Sequence, residues 1–173
     1  MQDNFQTSLD KLLVHEGGFV NNPADPGGMT NLGVTKQTWE EWVSHPVVEK
    51  EMRNLTPLMV GPLYKRKYWD ACHADDLVSG LDYAVFDVAV NSGVGRAIKL
   101  LQSTVGATPD GGYGSITNAL VKKAQEENPA KLIEDYCAKR LEFIQSLKAF
   151  PTFGKGWTRR IEEVKAEALK MLG

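Results

Sequence analysis

Two carboxylic acids and a hydroxyl lie close together near the start of this chain: Glu16, Asp25 and Thr30, within the stretch HEGGFVNNPADPGGMTNLGVT. Glu16 directly precedes two glycines at the end of a promising helix. An acid at a helix C-terminus faces the negative end of the macrodipole, which disfavours its ionised form, and apolar cover works in the same direction. Such a group suits protonation of a glycosidic oxygen, a poor leaving group until it gains a proton. Asp25 belongs to a polar loop, where solvent and backbone donors favour the carboxylate, so it suits the orientation of water or the stabilisation of a developing cation. In an inverting glycosidase the two carboxyl groups stand roughly 6.5–9.5 Å apart, with room for a water between them. Thr30 can hold that water from the other side. Gly27, Gly28 and Gly33 permit tight turns and close backbone approach. The same spacing also fits a solvated helix end followed by an ordinary turn at Asp25-Pro26-Gly27-Gly28.

The elements that must position these groups are mostly helical. Phe5, Leu9, Leu12 and Leu13 recur at helical spacing, and Gly17 can end that helix. Thr35 or Thr38 can cap a segment carrying Trp39, Trp42 and Val43, closed by His45-Pro46. A further segment runs around Pro62 to Tyr68. LDYAVFDVAVNSG is apolar on nearly every side and predicts a central core helix stopped by Gly93. Ile98, Leu101 and Val105 mark a helix from about Arg96, and two more follow, the first ending before Pro129. Trp157, Ile161, Val164 and Ala168 mark the last. Short extended pieces are expected between Asn21 and Val34. The expected fold class is mainly α, with at most a short β-hairpin.

Composition bounds the rest. A chain of 173 residues, 42% hydrophobic and 24% charged, supports one sizeable core and reads as a single compact unit, 1–173. The one internal seam is TPDGGYG, residues 108–114, which separates a catalytic part, 1–105, from a helical part, 106–173. A formal net charge of -2 gives no general reason to expect nucleic acid. No secretory signal and no apolar run long enough for a membrane span are visible, so synthesis in the cytoplasm and no membrane insertion are expected. Cys72 and Cys137 read as two reduced core thiols. His15, His45 and His73 lack metal-ligand spacing and no HExxH or paired CxxC occurs, so no metal or cofactor is expected.

Asn91 follows the core helix at a glycine-marked end, where its amide either bonds an N-acetyl group or caps the helix. Tyr83 and Asp87, four apart on one face, either line a cleft or satisfy each other. The four tryptophans read first as core.

The stretch from Val14 to Thr35, with its His15-Glu16-Gly17-Gly18 opening, resembles the N-terminal signature of glycoside hydrolase family 108, a family of peptidoglycan-cleaving N-acetylmuramidases. Tyr64-Lys65-Arg66-Lys67-Tyr68-Trp69, Leu81 to Asp87, Asn91-Ser92-Gly93, Leu101-Gln102 and Gly156-Trp157-Thr158-Arg159-Arg160 are similar to further blocks of that family. The resemblance implies a lysozyme-like helical fold with a small N-terminal lobe beside the active cleft, and it puts the catalytic acid on Glu16. The Glu, Asp and Thr series of phage-type lysozymes is echoed by Glu16 and Asp25 at the same interval, whereas Thr30 comes one residue early. Asp110-Gly111-x-x-Gly114-x-x-Thr117, preceded by Leu101-Gln102, resembles the DGxxGxxT pattern of helical peptidoglycan-binding modules. It marks Asp110 and Tyr113 as substrate-binding candidates, or else a glycine-rich turn capped by Ser115 or Thr117.

These readings converge on hydrolysis of the β-1,4 bond between N-acetylmuramic acid and N-acetylglucosamine, with bacterial peptidoglycan as the partner and a monomer as the working form. The resemblance further implies a phage endolysin released through a holin, or a bacterial secretion muramidase, acting on the cell wall. Lys65, Arg66 and Lys67, or Arg159 and Arg160, would supply a local basic surface toward an anionic wall. The rival readings are a lytic transglycosylase and a noncatalytic peptidoglycan-binding protein.

Overall fold

The computed structural model describes residues 4–25 and 27–173; Pro26, part of the turn read above, lies outside them. The chain is mainly helical with a small antiparallel sheet, as expected. It forms two compact units, one of Gln6–Arg66 and one of Lys67–Gly173 together with Asn4 and Phe5. The seam expected at residues 108–114 lies within the second.

The smaller unit begins in α1 (Asn4–His15), where Leu9 and Leu12 are completely buried. Three short strands follow: β1 (Val20–Asn21), β2 (Met29–Asn31) and β3 (Val34–Thr35), paired in that order and all antiparallel. The register pairs Val20 with Thr30 and Thr30 with Thr35. Successive strand residues point to opposite faces. Asn31 therefore points away from Thr30, and its buried amide donates to the carbonyls of Met52, at 2.8 Å, and Arg53. That bond fastens the sheet to α3 (Glu49–Arg53), a helix too short for sequence periodicity to reveal.

Thr35 caps α2 (Lys36–Val43) by accepting from Thr38 N, which decides between the two expected caps. α2 stops at Ser44, in the left-handed region at φ 64, one residue before the expected His45-Pro46 break. Thr56 caps α4 (Pro57–Tyr64), whose Gly61 lies against Leu9 of α1.

A π-helical turn, Lys65–Asp70, and a 3-10 turn, Ala74–Asp76, follow in the chain. The larger unit is built around α5 (Leu81–Ser92), in which Leu81 through Ala89 are all buried, as the all-round apolar pattern predicts. Its entry demands glycine at Gly80: φ is +94, and a Cβ there would stand 2.1 Å from the Ala168 carbonyl oxygen. Around it pack α6 (Val94–Val105), α8 (Pro129–Gln145) and α9 (Phe150–Leu172), while α7 (Ser115–Glu127) lies against α6 and α8. α6 starts two residues earlier than its apolar pattern suggests. Phe5, Trp69 and Phe86 meet edge to face, with centroids 5.3–6.0 Å apart. Trp39 and Trp69 are core residues as expected; Trp42 and Trp157 are half-buried.

Asp87 is fully buried and bonded by two arginines, Arg140 at 2.7 Å and Arg160 at 2.9 Å, which joins α5 to α8 and α9. Burial alone would raise its carboxyl; the two guanidinium charges outweigh that and hold it below the usual carboxylate range. Cys72 and Cys137 are buried free thiols, pushed up by burial to about 12 and about 11. Among the described residues no helix is long and apolar enough to cross a membrane, and no cluster of three metal-ligating side chains occurs.

Candidate active site

Glu16 is the first residue beyond α1 and is half-buried. Gly17 and Gly18, neither at positive φ, then lead the chain toward β1. Opposite them, β2 and β3 are joined by the two-residue loop Leu32-Gly33, with φ +51 and +76. Two successive residues at positive φ form the type I′ turn whose twist matches a tight hairpin. Glycine takes this conformation readily, but at Leu32 it costs about 1–2 kcal/mol. Two bonds hold the strained residue: Leu32 N donates to the Gly17 carbonyl at 3.1 Å, and Tyr64 Oη donates to the Leu32 carbonyl at 2.7 Å.

The turn also meets the acid. A Cβ on Gly33 would stand 2.6 Å from Tyr64 Oη and 2.8 Å from Glu16 Oε2, closer than real Cβ contacts allow. The Glu16 carboxyl, the Tyr64 hydroxyl and the bare Gly33 backbone therefore share one small volume. Behind it, the Arg53 guanidinium lies 4.1 Å over the Phe19 ring, a cation–π contact that braces the segment after Gly18.

Asp25 is exposed in the loop between β1 and β2. Its backbone N bonds Asn22 O, its carbonyl accepts from Gly28 N, and its Oδ1 accepts from Gly27 N at 2.9 Å. The polar, backbone-ligated setting expected of it is present, with one carboxyl oxygen engaged in the turn. Thr30 lies on β2 in a row with Val20 and Thr35, on the face opposite Asn31. Glu16, Asp25 and Thr30 thus all belong to the smaller unit. Beside the Asp25 loop, a groove of about 370 Å³ is lined by Gly27, Gly28 and Met29 on one side and by Thr35, Lys36 and Glu40 on the other.

The remaining candidates belong to the larger unit. Asn91 is exposed, one residue from the end of α5, and the cap itself falls to Gly93. Tyr83 and Asp87 do not line a surface: both are buried, and Asp87 is satisfied by Arg140 and Arg160, not by Tyr83. Burial also pushes the Tyr83 phenol well up.

The Asp110 loop is closed by Gln102. Its buried amide donates to Asp110 Oδ1, Gly112 O and Thr117 Oγ1 at 2.9–3.0 Å, and its oxygen accepts from Gly111 N. Asp110 Oδ1 also accepts from Gly112 N, and this bond, with the Gln102 one, keeps its carboxyl below the usual range. The LQ…DGxxGxxT motif is thus a hydrogen-bonded knot; Thr117 works inside it, and α7 has Gly114 at its cap position with no side-chain cap. Tyr113 is half-buried, stacks on His73 with centroids 4.6 Å apart and donates to Asn118.

Sequence reasoning missed Tyr64 and Leu32 as site residues. Tyr64 stood in view at the head of a quoted block, but nothing local connects it to a turn 32 positions earlier. Leu32 hid the turn, because the strong signal for this hairpin loop is Asn-Gly or Asp-Gly.

Within the smaller unit a carboxylic acid is thus seated at a helix end against the turn of a small sheet. The family model described as Glycosyl hydrolase 108 matches residues 9–93, from α1 through the end of α5. Among solved structures, SagA of Brucella abortus is 37% identical, with a TM-score of 0.85 over 99% of this chain and 97% of that chain. The chain belongs to glycosyl hydrolase family 108. It is a glycoside hydrolase of the peptidoglycan-degrading kind. No curated protein sequence is similar enough to this chain to count as a match.

Proposed function

We propose that the chain is an N-acetylmuramidase that hydrolyses the β-1,4 bond between N-acetylmuramic acid and N-acetylglucosamine. Glu16 gives its proton to the departing N-acetylglucosamine oxygen as the bond to the muramic acid C1 breaks. Asp25 aids attack of a water on that C1, and Thr30 helps to hold the water. The observation that carries this reading is the seat of Glu16: a half-buried acid at a helix end, in contact distance of the Gly33 turn. Asp25 supports it as an exposed carboxylate oriented by Gly27 N. In the larger unit, Asn91 offers an exposed amide to an N-acetyl group. Within the helical part 106–173, peptidoglycan-binding-like by its resemblance to the DGxxGxxT modules, Tyr113 has ring surface to offer while Asp110 shapes the loop.

The biological role that fits is lysis of a bacterial host by an endolysin that reaches the cell wall through a holin. Mass spectrometry of purified peptidoglycan digests, after borohydride reduction, tests the chemistry. Reducible muramic acid ends from wild type and none from Glu16→Gln are expected. Anhydro ends would make the enzyme a transglycosylase, and no new ends would leave a binding protein.

A further inference from the structure

The Tyr64 hydroxyl has no part in the acid, base and water scheme, yet it is aimed at the place where that scheme begins. Tyr64 is 1% exposed, so α4 packing fixes its ring. Its hydroxyl is anchored on the Leu32 carbonyl at 2.7 Å, and it stands with Glu16 Oε2 over the same bare face of Gly33. The anchor residue is itself held at φ +51 and tied by its N–H to Gly17, the residue directly after Glu16. Local strain of this sort persists only where the surroundings over-determine it. Two bonds lead from the backbone beside Glu16, through Leu32, to Tyr64, whose hydroxyl stands at the volume that holds the Glu16 carboxyl.

We propose that Tyr64 is a positioning residue for the reaction: its hydroxyl, anchored on Leu32 and facing the bare Gly33, sets where the Glu16 carboxyl stands. This rests on the reading of Glu16 as the acid. Glycine at position 33 is then required twice, for its φ of +76 and for the space that the two side-chain oxygens occupy. Tyr64→Phe keeps the ring in the core and deletes only the oxygen, so the carboxyl loses one wall and the turn one anchor. A small misplacement of a reacting group lowers turnover by up to about a hundredfold.

The experiment measures kcat, KM and thermal midpoint on soluble glycan strands for wild type, Tyr64→Phe, Gly33→Ala, their double variant and Glu16→Gln. Tyr64→Phe is expected to lose about ten- to a hundredfold in kcat with KM within about twofold of wild type. The double variant should lose less than the product of the single losses, because both changes act on one volume. A lowered midpoint with wild-type kcat in Tyr64→Phe, while Glu16→Gln is inactive, would overturn the positioning role and leave the acid standing. Full activity in Glu16→Gln would overturn the acid itself. If Tyr64→Phe does not fold, Gly33→Ala decides: reduced kcat at unchanged KM supports the proposal, and wild-type kcat sinks it.

Discussion

Two glycine-rich stretches look alike in this sequence, and the structure puts them to different uses. In the first, residues 15–35, Gly17 and Gly18 follow Glu16 and Gly33 faces it, and bonds between neighbouring residues such as Gly27 N to Asp25 shape the loop, with Tyr64 reaching in from α4. In the second, residues 108–114, a single buried glutamine gathers Asp110, Gly111, Gly112 and Thr117 into one closed set of bonds. One arrangement seats Glu16 against a turn braced from a distant helix, whereas the other turns one carboxylate oxygen of Asp110 to holding a loop. An acid beside glycines is therefore not a functional signal by itself; the partner of the acid decides.

Substitutions break or sharpen that contrast. The largest effect belongs to the first stretch: Glu16→Gln should lower release of reducing ends by about 10²–10⁴-fold, with an unchanged thermal midpoint. Next comes the buried ion cluster of the larger unit. Asp87→Ala leaves Arg140 and Arg160 without their shared carboxylate and should cost about 3–5 kcal/mol in urea unfolding.

The same carboxylate predicts an acid limit. Its folded value lies below the unfolded value of about 3.9, so its contribution is present above that pH and is lost as pH falls through the folded value. A wild-type stability curve that falls no more steeply in that acid range than that of Asp87→Asn would contradict this.

Gln102→Ala should cost about 2–3 kcal/mol in stability and leave kcat per folded molecule intact, which separates the structural knot from the proposed seat of the acid. A fall in turnover at constant stability would erase the distinction. The smallest change is Leu32→Gly. Relief of the positive φ should outweigh the added chain entropy by no more than about 1 kcal/mol, read as a slightly raised urea midpoint.

Much of this architecture was legible because it follows from side-chain periodicity. The run from Leu81 to Ala89 is apolar on nearly every side, Asp82 and Asp87 excepted, and a helix packed on all faces accommodates it. Thr35 and Thr38 together announced a cap, and Gly27, Gly28 and Gly33 announced turns. α3 was not legible, since Glu49–Arg53 is too short to carry a period. Tyr83 and Asp87, read as lining a cleft or satisfying each other, do neither, because helical spacing pairs residues on a face without saying what covers it. Arg140 and Arg160, 53 and 73 positions from Asp87, cover this one.

Taken alone, the sequence determined the mainly helical class, the core helix, and Glu16 as an acid at a helix end, because each rests on residues within a turn or two of one another. Only the tertiary structure decided what surrounds those groups. Tyr64 meets Leu32 and stands near Glu16, and Gln102 meets Asp110, because folding brings together hydrogen-bonding atoms from separate segments. Local propensity cannot encode such meetings: a hydroxyl or an amide has many equivalent partners in water, and it is left with one or two once packing has excluded the rest.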